Sequence, residues 1–336
     1  MSQAERDARA AIDGLCASIT PASRAQALGA ERALAPRKGG NLELFERLAI
    51  WLAAARHAPR PATANKRVIV VAADHGVADP GVDLGGASPT AAALAHIDAG
   101  RGPLCAAARS AGATIALVDA GVWGDPGHIP GLIDLRAGAG TADITAGPAM
   151  STETTTLAIA SGVALLFSLA EDGLDVAALG ALGAGSEVAS TATIASLSGS
   201  SPSALGGPDA PDADAALSTN APDRASPIDV VASVGGFDIA VLAGVILAAT
   251  AIAVPIVIDD HVTGAAALAA AALAPDVRDY VLASHAGSHP AHQAALEALA
   301  LRVEPLLSVG LARGDGAGAA LALPALDAAA AHLRGA

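Results

Sequence analysis

The chain runs to 336 residues, room for one large domain with an appendage or for two domains, and it is 53% hydrophobic but only 15% charged and 2% aromatic, so any core must be aliphatic. Its formal net charge is −14 and its only lysines are Lys38 and Lys66, which excludes a nucleic-acid partner, since phosphate backbones call for clustered Lys and Arg. The two cysteines, Cys16 and Cys105, form neither a disulfide framework nor a metal-spaced set, and point to a reducing cytoplasm.

Met1 to Arg9 is too polar for a secretory signal. Residues 1–35 read as one or two Ala-rich helices, and Leu42 to Ala55 resumes helical spacing after the break at Pro36 to Asn41. Pro59 to Asn65 reads as a linker. Arg67 to Ala73 is a β-branched run suited to a buried strand, and it stops at Asp74-His75-Gly76. Thr90 to Ser110 reads as helix with an interruption at Gly100 to Pro103, and Thr114 to Asp119 as a second strand. Leu135 to Gly147 is Gly-rich and loop-like, after which Ser151 offers an N-cap for a helix.

Val176 to Gly180 predicts another strand, running into the turn Gly183-Ala184-Gly185 and a helix from about Ser190. A phosphate could dock at that helix start, although the spacing is not that of a dinucleotide fingerprint. Ser198 to Pro227, rich in Ser, Pro, Asp and Gly, reads as a loop. Gly235-Gly236 then precedes an uncharged stretch, Ile239 to Ile258. Gly244, Pro255, bracketing aspartates and the lack of flanking Lys or Arg argue against a membrane span; the stretch reads as a buried helix to about Ala251, a turn and a strand.

Pro255 to Asp259, Tyr280 to Ala283 and Leu306 to Val309 complete the predicted strands. The first two lead into Asp259-Asp260-His261-Val262-Thr263 and Ser284-His285, and the last into the loop Arg313-Gly314-Asp315-Gly316-Ala317-Gly318. Strands alternating with helices predict an α/β fold, a mostly parallel sheet covered on both faces. Polar residues at several strand ends are more economically explained by one site along the carboxyl edge than by separate accidents. The plain alternatives stand beside that reading: Asp74 and Asp315 could cap helices, and His75 could sit in a solvated loop. No GxSxG elbow or Walker A motif is present, and His285 and His289 lack the neighbouring Glu of a zinc-binding HExxH helix, so no metal is expected.

Several of these segments, in this order, resemble nicotinate-nucleotide–dimethylbenzimidazole phosphoribosyltransferases, which make the lower-ligand nucleotide of cobalamin. The likeness runs from about Gly40 to the C-terminus. It is carried by Ala73 to Val77, Pro148 to Ser151, Val234 to Asp238 with Ala243 to Val245, Ala265 to Ala269 after Asp259, Ser284-His285, and Gly314 to Ala320.

The resemblance implies a Rossmann-like homodimer, with a small helical part from both chain ends. On that reading residues 1–60 form its N-terminal portion, 61–310 the large α/β domain, and 311–336 the active-site loop and last helix. It implies transfer of phosphoribose from nicotinate mononucleotide to a benzimidazole-type base, 5,6-dimethylbenzimidazole foremost, releasing nicotinate without a cofactor. Asp315 stands where the family has a catalytic Glu. Asp74, His75, Gly76, Gly183, Gly185, Gly235, Gly236, Asp259, Thr263, Ser284, His285, Arg313, Gly314, Gly316 and Gly318 would contact substrate.

Departures accompany the likeness. Ala181 replaces the Glu of a Gly-Glu-Leu-Gly pattern, Ala93 falls at a Gln, and Arg313 at a Leu. The segment 205–220 lacks a family Lys, with Arg224 nearby, and a Lys-Pro-x-Gly-Ser-Leu-Gly motif is degraded at Arg37 to Glu43. These changes leave open a paralog that uses another base or nucleotide, or binds without turnover.

Overall fold

The computed structural model describes residues 1–35, 43–78, 88–311 and 314–335. Arg313 and the stretch Arg37 to Leu42 lie outside the described residues. Six parallel strands form one sheet: β1 (Lys66–Ala73), β2 (Thr114–Gly121), β3 (Ile133–Asp134), β4 (Val176–Leu182), β5 (Ile256–Ile258) and β6 (Val281–Ala283). Their order is β3-β2-β1-β4-β5-β6. The chain builds outward from β1 to β3, then returns to the other flank of β1 to lay down β4. The crevice between the carboxyl ends of β1 and β4 is therefore the switch point at which open parallel sheets bind ligands.

Helices precede, separate and follow the strands. Before β1 come α1 (Gln3–Ser18), α2 (Arg24–Leu34) and α3 (Leu44–Ala55). Between β1 and β2 lie α4 (Pro89–Asp98) and α5 (Pro103–Ser110), broken as expected at Gly100 and Gly102, both with positive φ. Next comes α6 (Thr152–Ala170), whose N-cap Ser151 accepts a hydrogen bond from the Thr154 N–H.

The second half holds α7 (Ser186–Ser198), α8 (Pro202–Leu205), α9 (Ala210–Asn220), α10 (Pro227–Val234), α11 (Phe237–Ala251), α12 (His261–Leu273), α13 (Pro290–Leu299) and α14 (Ala317–Arg334).

Three expectations need correction. The helix expected near Ser190 begins at Ser186, because Gly185 adopts the left-handed conformation (φ 78°) and turns the chain at once into α7. Ser198 to Pro227 is not one loop: Ser201 and Asp209 start α8 and α9, and α9 buries Ala210, Ala213 and Ala216. Leu306 to Val309 is not a strand but a single parallel bridge between Leu307 and His285.

The long apolar run is the buried helix α11 followed by β5. Gly162 of α6 and Gly244 of α11 let these two helices meet backbone to backbone; a Cβ at either would overlap the carbonyl oxygen of Val241 or Ile159. Among the described residues α6 is the one helix long and apolar enough to cross a bilayer, and it packs against α11 and α1.

The first helices are tied to the sheet's far edge. The Trp51 indole N–H donates to the Asp279 carbonyl at 2.9 Å, and the Tyr280 hydroxyl to the Thr20 carbonyl at 2.9 Å. At the other end of the sequence, α14 wedges between α3 and the sheet, which sets its N-terminus against the carboxyl ends of β4 and β5.

Candidate active site

The strand-end carboxylates are committed to protein donors. Asp74, fully buried, accepts from the Thr90 hydroxyl, from the Ala184 N–H at 2.9 Å and from the Trp123 N–H at 2.8 Å. One side chain thus ties together the loops that follow β1, β2 and β4. His75 beside it is also buried, its Nε2 3.2 Å from an oxygen of Asp238. Burial opposes charge on this imidazole, but Asp238, Asp74 and Glu187 outweigh it and raise its pKa. Gly236 must lack a side chain here, since a Cβ would strike the His75 ring.

Asp259 performs a similar task on the other flank. Its oxygens accept from the Gly316 N–H at 2.8 Å and the Ala319 N–H at 2.9 Å, so a residue of the β5 end caps α14 across the fold. Burial pushes its pKa up to about 6, against the opposing pull of His285 and the Gly316 N–H. Asp260 caps α12 in a reciprocal box with Thr263, whose hydroxyl accepts from the Asp259 and Asp260 N–H groups.

These anchors place the Asp315 loop. The Ala181 N–H donates to the Gly314 carbonyl at 2.8 Å, and a Cβ on Gly180 would stand 2.5 Å from the Asp315 carbonyl carbon. Asp315 is 8% exposed; its Oδ1 accepts from the Ala317 N–H at 3.1 Å, while no donor among the described residues is bonded to Oδ2. The carboxylate faces a cavity of about 1060 Å³ at the switch point, walled by the ends of β4, the start of α7, the α4–α5 corner and the segment His285 to His292.

The described wall carries Glu187, Asp209, Asp260 and Asp315 as carboxylates and Arg101 as its one Arg or Lys. Four imidazoles line the stretch nearest Asp260. His261 and His289 stack at 4.1 Å between centroids, and His289 Nε2 lies 2.9 Å from Asp209. His292 Nε2 meets the His285 carbonyl at 3.0 Å. Burial lowers the pKa of both His261 and His292. No group of three or more described His, Cys, Asp or Glu residues is arranged to hold a metal ion.

A sequence-family model described as "Phosphoribosyltransferase" matches residues 18–336. The chain belongs to the phosphoribosyltransferase family. Nicotinate-nucleotide–dimethylbenzimidazole phosphoribosyltransferase of Desulforudis audaxviator is 38% identical over 303 residues, covering 87% of this chain and 85% of its own. The enzyme of that name from Geobacter metallireducens is 35% identical over 300 residues. A crystal structure of the Thermus thermophilus enzyme superposes with a TM-score of 0.85 at 32% identity, covering 93% of this chain and 96% of its own.

Within this phosphoribosyltransferase, Gly183, His285, Gly314 and Asp315 stand on the cavity wall, as do the two departures Ala93 and Ala181. Asp74, His75, Gly235, Gly236, Asp259, Thr263, Ser284 and Gly318 lie behind it, fully or almost fully buried. Gly76, Gly185 and Gly316 shape turns: a Cβ on Gly76 would meet Thr141 to Asp143, and Gly185 and Gly316 have φ of 78° and 95°. Sequence reasoning did not single out Arg101, Glu187, Asp209, His261 or His289 as wall residues. The run of histidines at His285 to His292 was a usable signal for part of this wall; Asp209, inside an apparent loop, offered none.

Proposed function

We infer that this phosphoribosyltransferase moves the phosphoribosyl group of nicotinate mononucleotide onto 5,6-dimethylbenzimidazole, yielding α-ribazole phosphate and nicotinate. The observation that carries this reading is a buried carboxylate, Asp315, whose Oδ2 meets no donor among the described residues, on the wall of a cavity large enough for both substrates, in a chain related along most of its length to enzymes of that name.

The chemistry follows from the groups present. The pyridinium of the donor is a good leaving group, so positioning contributes much of the rate. One acceptor nitrogen attacks C1′, the C1′–N bond of the nucleotide breaks with its electron pair passing to the pyridine nitrogen, and the other acceptor nitrogen yields its proton to Asp315. Asp259 and Gly180 hold that carboxylate in register from either side. The remaining family-matched residues act as the frame of the substrate cavity, and Arg313 beside Asp315 stays part of the substrate-contact set in this reading.

Ala93 and Ala181 on the wall favour a second reading, in which the cavity accepts a bulkier base than dimethylbenzimidazole, since both leave space where the family pattern has Gln and Glu. The reading also includes a cytoplasmic homodimer, supported by the unpaired cysteines and the family resemblance, and domain limits near residues 60 and 310.

The test is direct. Purified protein is mixed with nicotinate mononucleotide and dimethylbenzimidazole, and free nicotinate and α-ribazole phosphate are measured by chromatography. Asp315→Asn should abolish transfer while leaving nucleotide binding intact. Transfer at the wild-type rate by that variant removes Asp315 as the proton acceptor. Turnover of larger bases alone, with dimethylbenzimidazole inert, selects the second reading.

A further inference from the structure

His261 is a cavity-wall group to which this chemistry gives no role. It is 8% exposed, and its Nε2 is a buried nitrogen without a hydrogen-bond partner among the described residues. Its protonation pattern can be worked out from its neighbours. Nδ1 faces the Asp260 carboxylate at 3.5 Å, and only a protonated Nδ1 suits a carboxylate. Burial, with His289 and His292 close by, disfavours a second proton against the pull of Asp260. Nε2 therefore presents a bare lone pair.

His289, stacked on the ring, cannot supply a proton to it. Its Nδ1 accepts from the Ala291 N–H at 3.2 Å and its Nε2–H points to Asp209, so both its nitrogens are occupied. A buried acceptor in this state needs an N–H or O–H donor.

The proposed substrates offer few donors. The carboxylate of the donor nucleotide is an acceptor, and so for the most part is its phosphate at neutral pH, with a second pKa of about 6. The periphery of dimethylbenzimidazole is methyl and C–H, and its single N–H is the proton assigned to Asp315. The two ribose hydroxyls remain.

We propose that His261 Nε2 accepts a hydrogen bond from a ribose hydroxyl of the donor nucleotide, with Asp260 fixing the tautomer and His289 fixing the ring plane. This rests on the reading of the activity given above. The same wall links the two roles: a Cβ on Gly314, next to Asp315, would overlap the Asp260 carboxylate. The group that holds the sugar and the group that receives the proton are thereby spaced by one contact.

The test compares nicotinate mononucleotide with its 2′-deoxy and 3′-deoxy forms, measuring kcat/KM and calorimetric binding for wild type and for His261→Phe, which keeps a flat ring against His289 but has no acceptor. In wild type, one deoxy form should lose at least roughly tenfold in kcat/KM, and in His261→Phe that loss should vanish. His261→Gln, whose amide oxygen restores an acceptor, should recover the discrimination, and it carries the test should the Phe variant fold poorly. Equal discrimination by wild type and His261→Phe, or none by wild type, overturns the assignment. If wild type neither binds nor consumes the parent nucleotide, it is the proposed activity that fails, and the assignment falls with it.

Discussion

Asp259→Asn probes how the fold carries a buried charge. The folded pKa of Asp259, about 6, lies above its ordinary value of 3.8. The carboxyl thus favours the fold most when protonated in both states, below about pH 4, and that advantage is lost as the pH rises through 6. Ionisation costs the fold on the order of 1–2 kcal/mol at pH 5 and on the order of 3 kcal/mol at pH 8. Asparagine does not titrate. Its amide can serve only one of the two N–H groups that Asp259 caps, Gly316 and Ala319, so the variant carries a pH-independent penalty of about 1–3 kcal/mol.

The stability of wild type relative to the variant should therefore fall by on the order of 1 kcal/mol between pH 5 and pH 8. Urea unfolding of both proteins at several pH values measures it, and every other titrating group cancels to first order in the difference. A gap that stays constant across that range refutes the idea that burial, rather than the surrounding N–H groups, governs this carboxylate. Transfer activity should fall in the variant at all pH values, because the cap positions the Asp315 loop.

Other substitutions test separate parts of the frame. Gly180→Ala places a methyl 2.5 Å from the Asp315 carbonyl carbon, and should reduce kcat by at least about tenfold while circular dichroism shows the fold intact. Gly162→Ala forces α6 away from the Val241 carbonyl and should lower stability by about 1–3 kcal/mol in denaturant unfolding, with the remaining activity per folded molecule unchanged. Asp238→Asn removes the partner that raises the His75 pKa; the raised value means the pair stabilises the fold most below pH 6.5 and ceases to as the pH rises through that raised value, so the variant's destabilisation should be greatest below pH 6.5 and decline as the pH is raised.

The sequence was most readable where local chemistry decided the structure. The run Arg67 to Ala73 is β-branched and uninterrupted, and it became the central strand. Ser151 and the glycines at 100 and 102 marked helix limits by mechanisms that act over a few residues. The segment Ser198 to Pro227 failed for the opposite reason. Its helices bury alanines, which give little periodic contrast, and their starts are hidden among Ser, Pro and Asp residues that usually mean turns.

The site shows the same division. The polar strand ends gather at the carboxyl edge beside the cavity, but a strand-end Asp can face a ligand or a distant N–H with equal sequence logic. Asp74 and Asp259 turned inward to Ala184 and Gly316, partners far along the chain. The stacking of His261 on His289 likewise depends on how α12 and α13 are brought together, which no local spacing encodes.

The cross-fold cap on α14 also bears on how the protein is made. Synthesis delivers the chain N-terminus first, so β5 and its aspartate leave the ribosome well before Gly316 and Ala319. Until those two residues emerge, Asp259 has no cap donors from α14 and the crevice lacks the wall that carries Asp315, the proposed proton acceptor. On the proposed chemistry, nucleotide consumption is then confined to molecules whose last helix has docked.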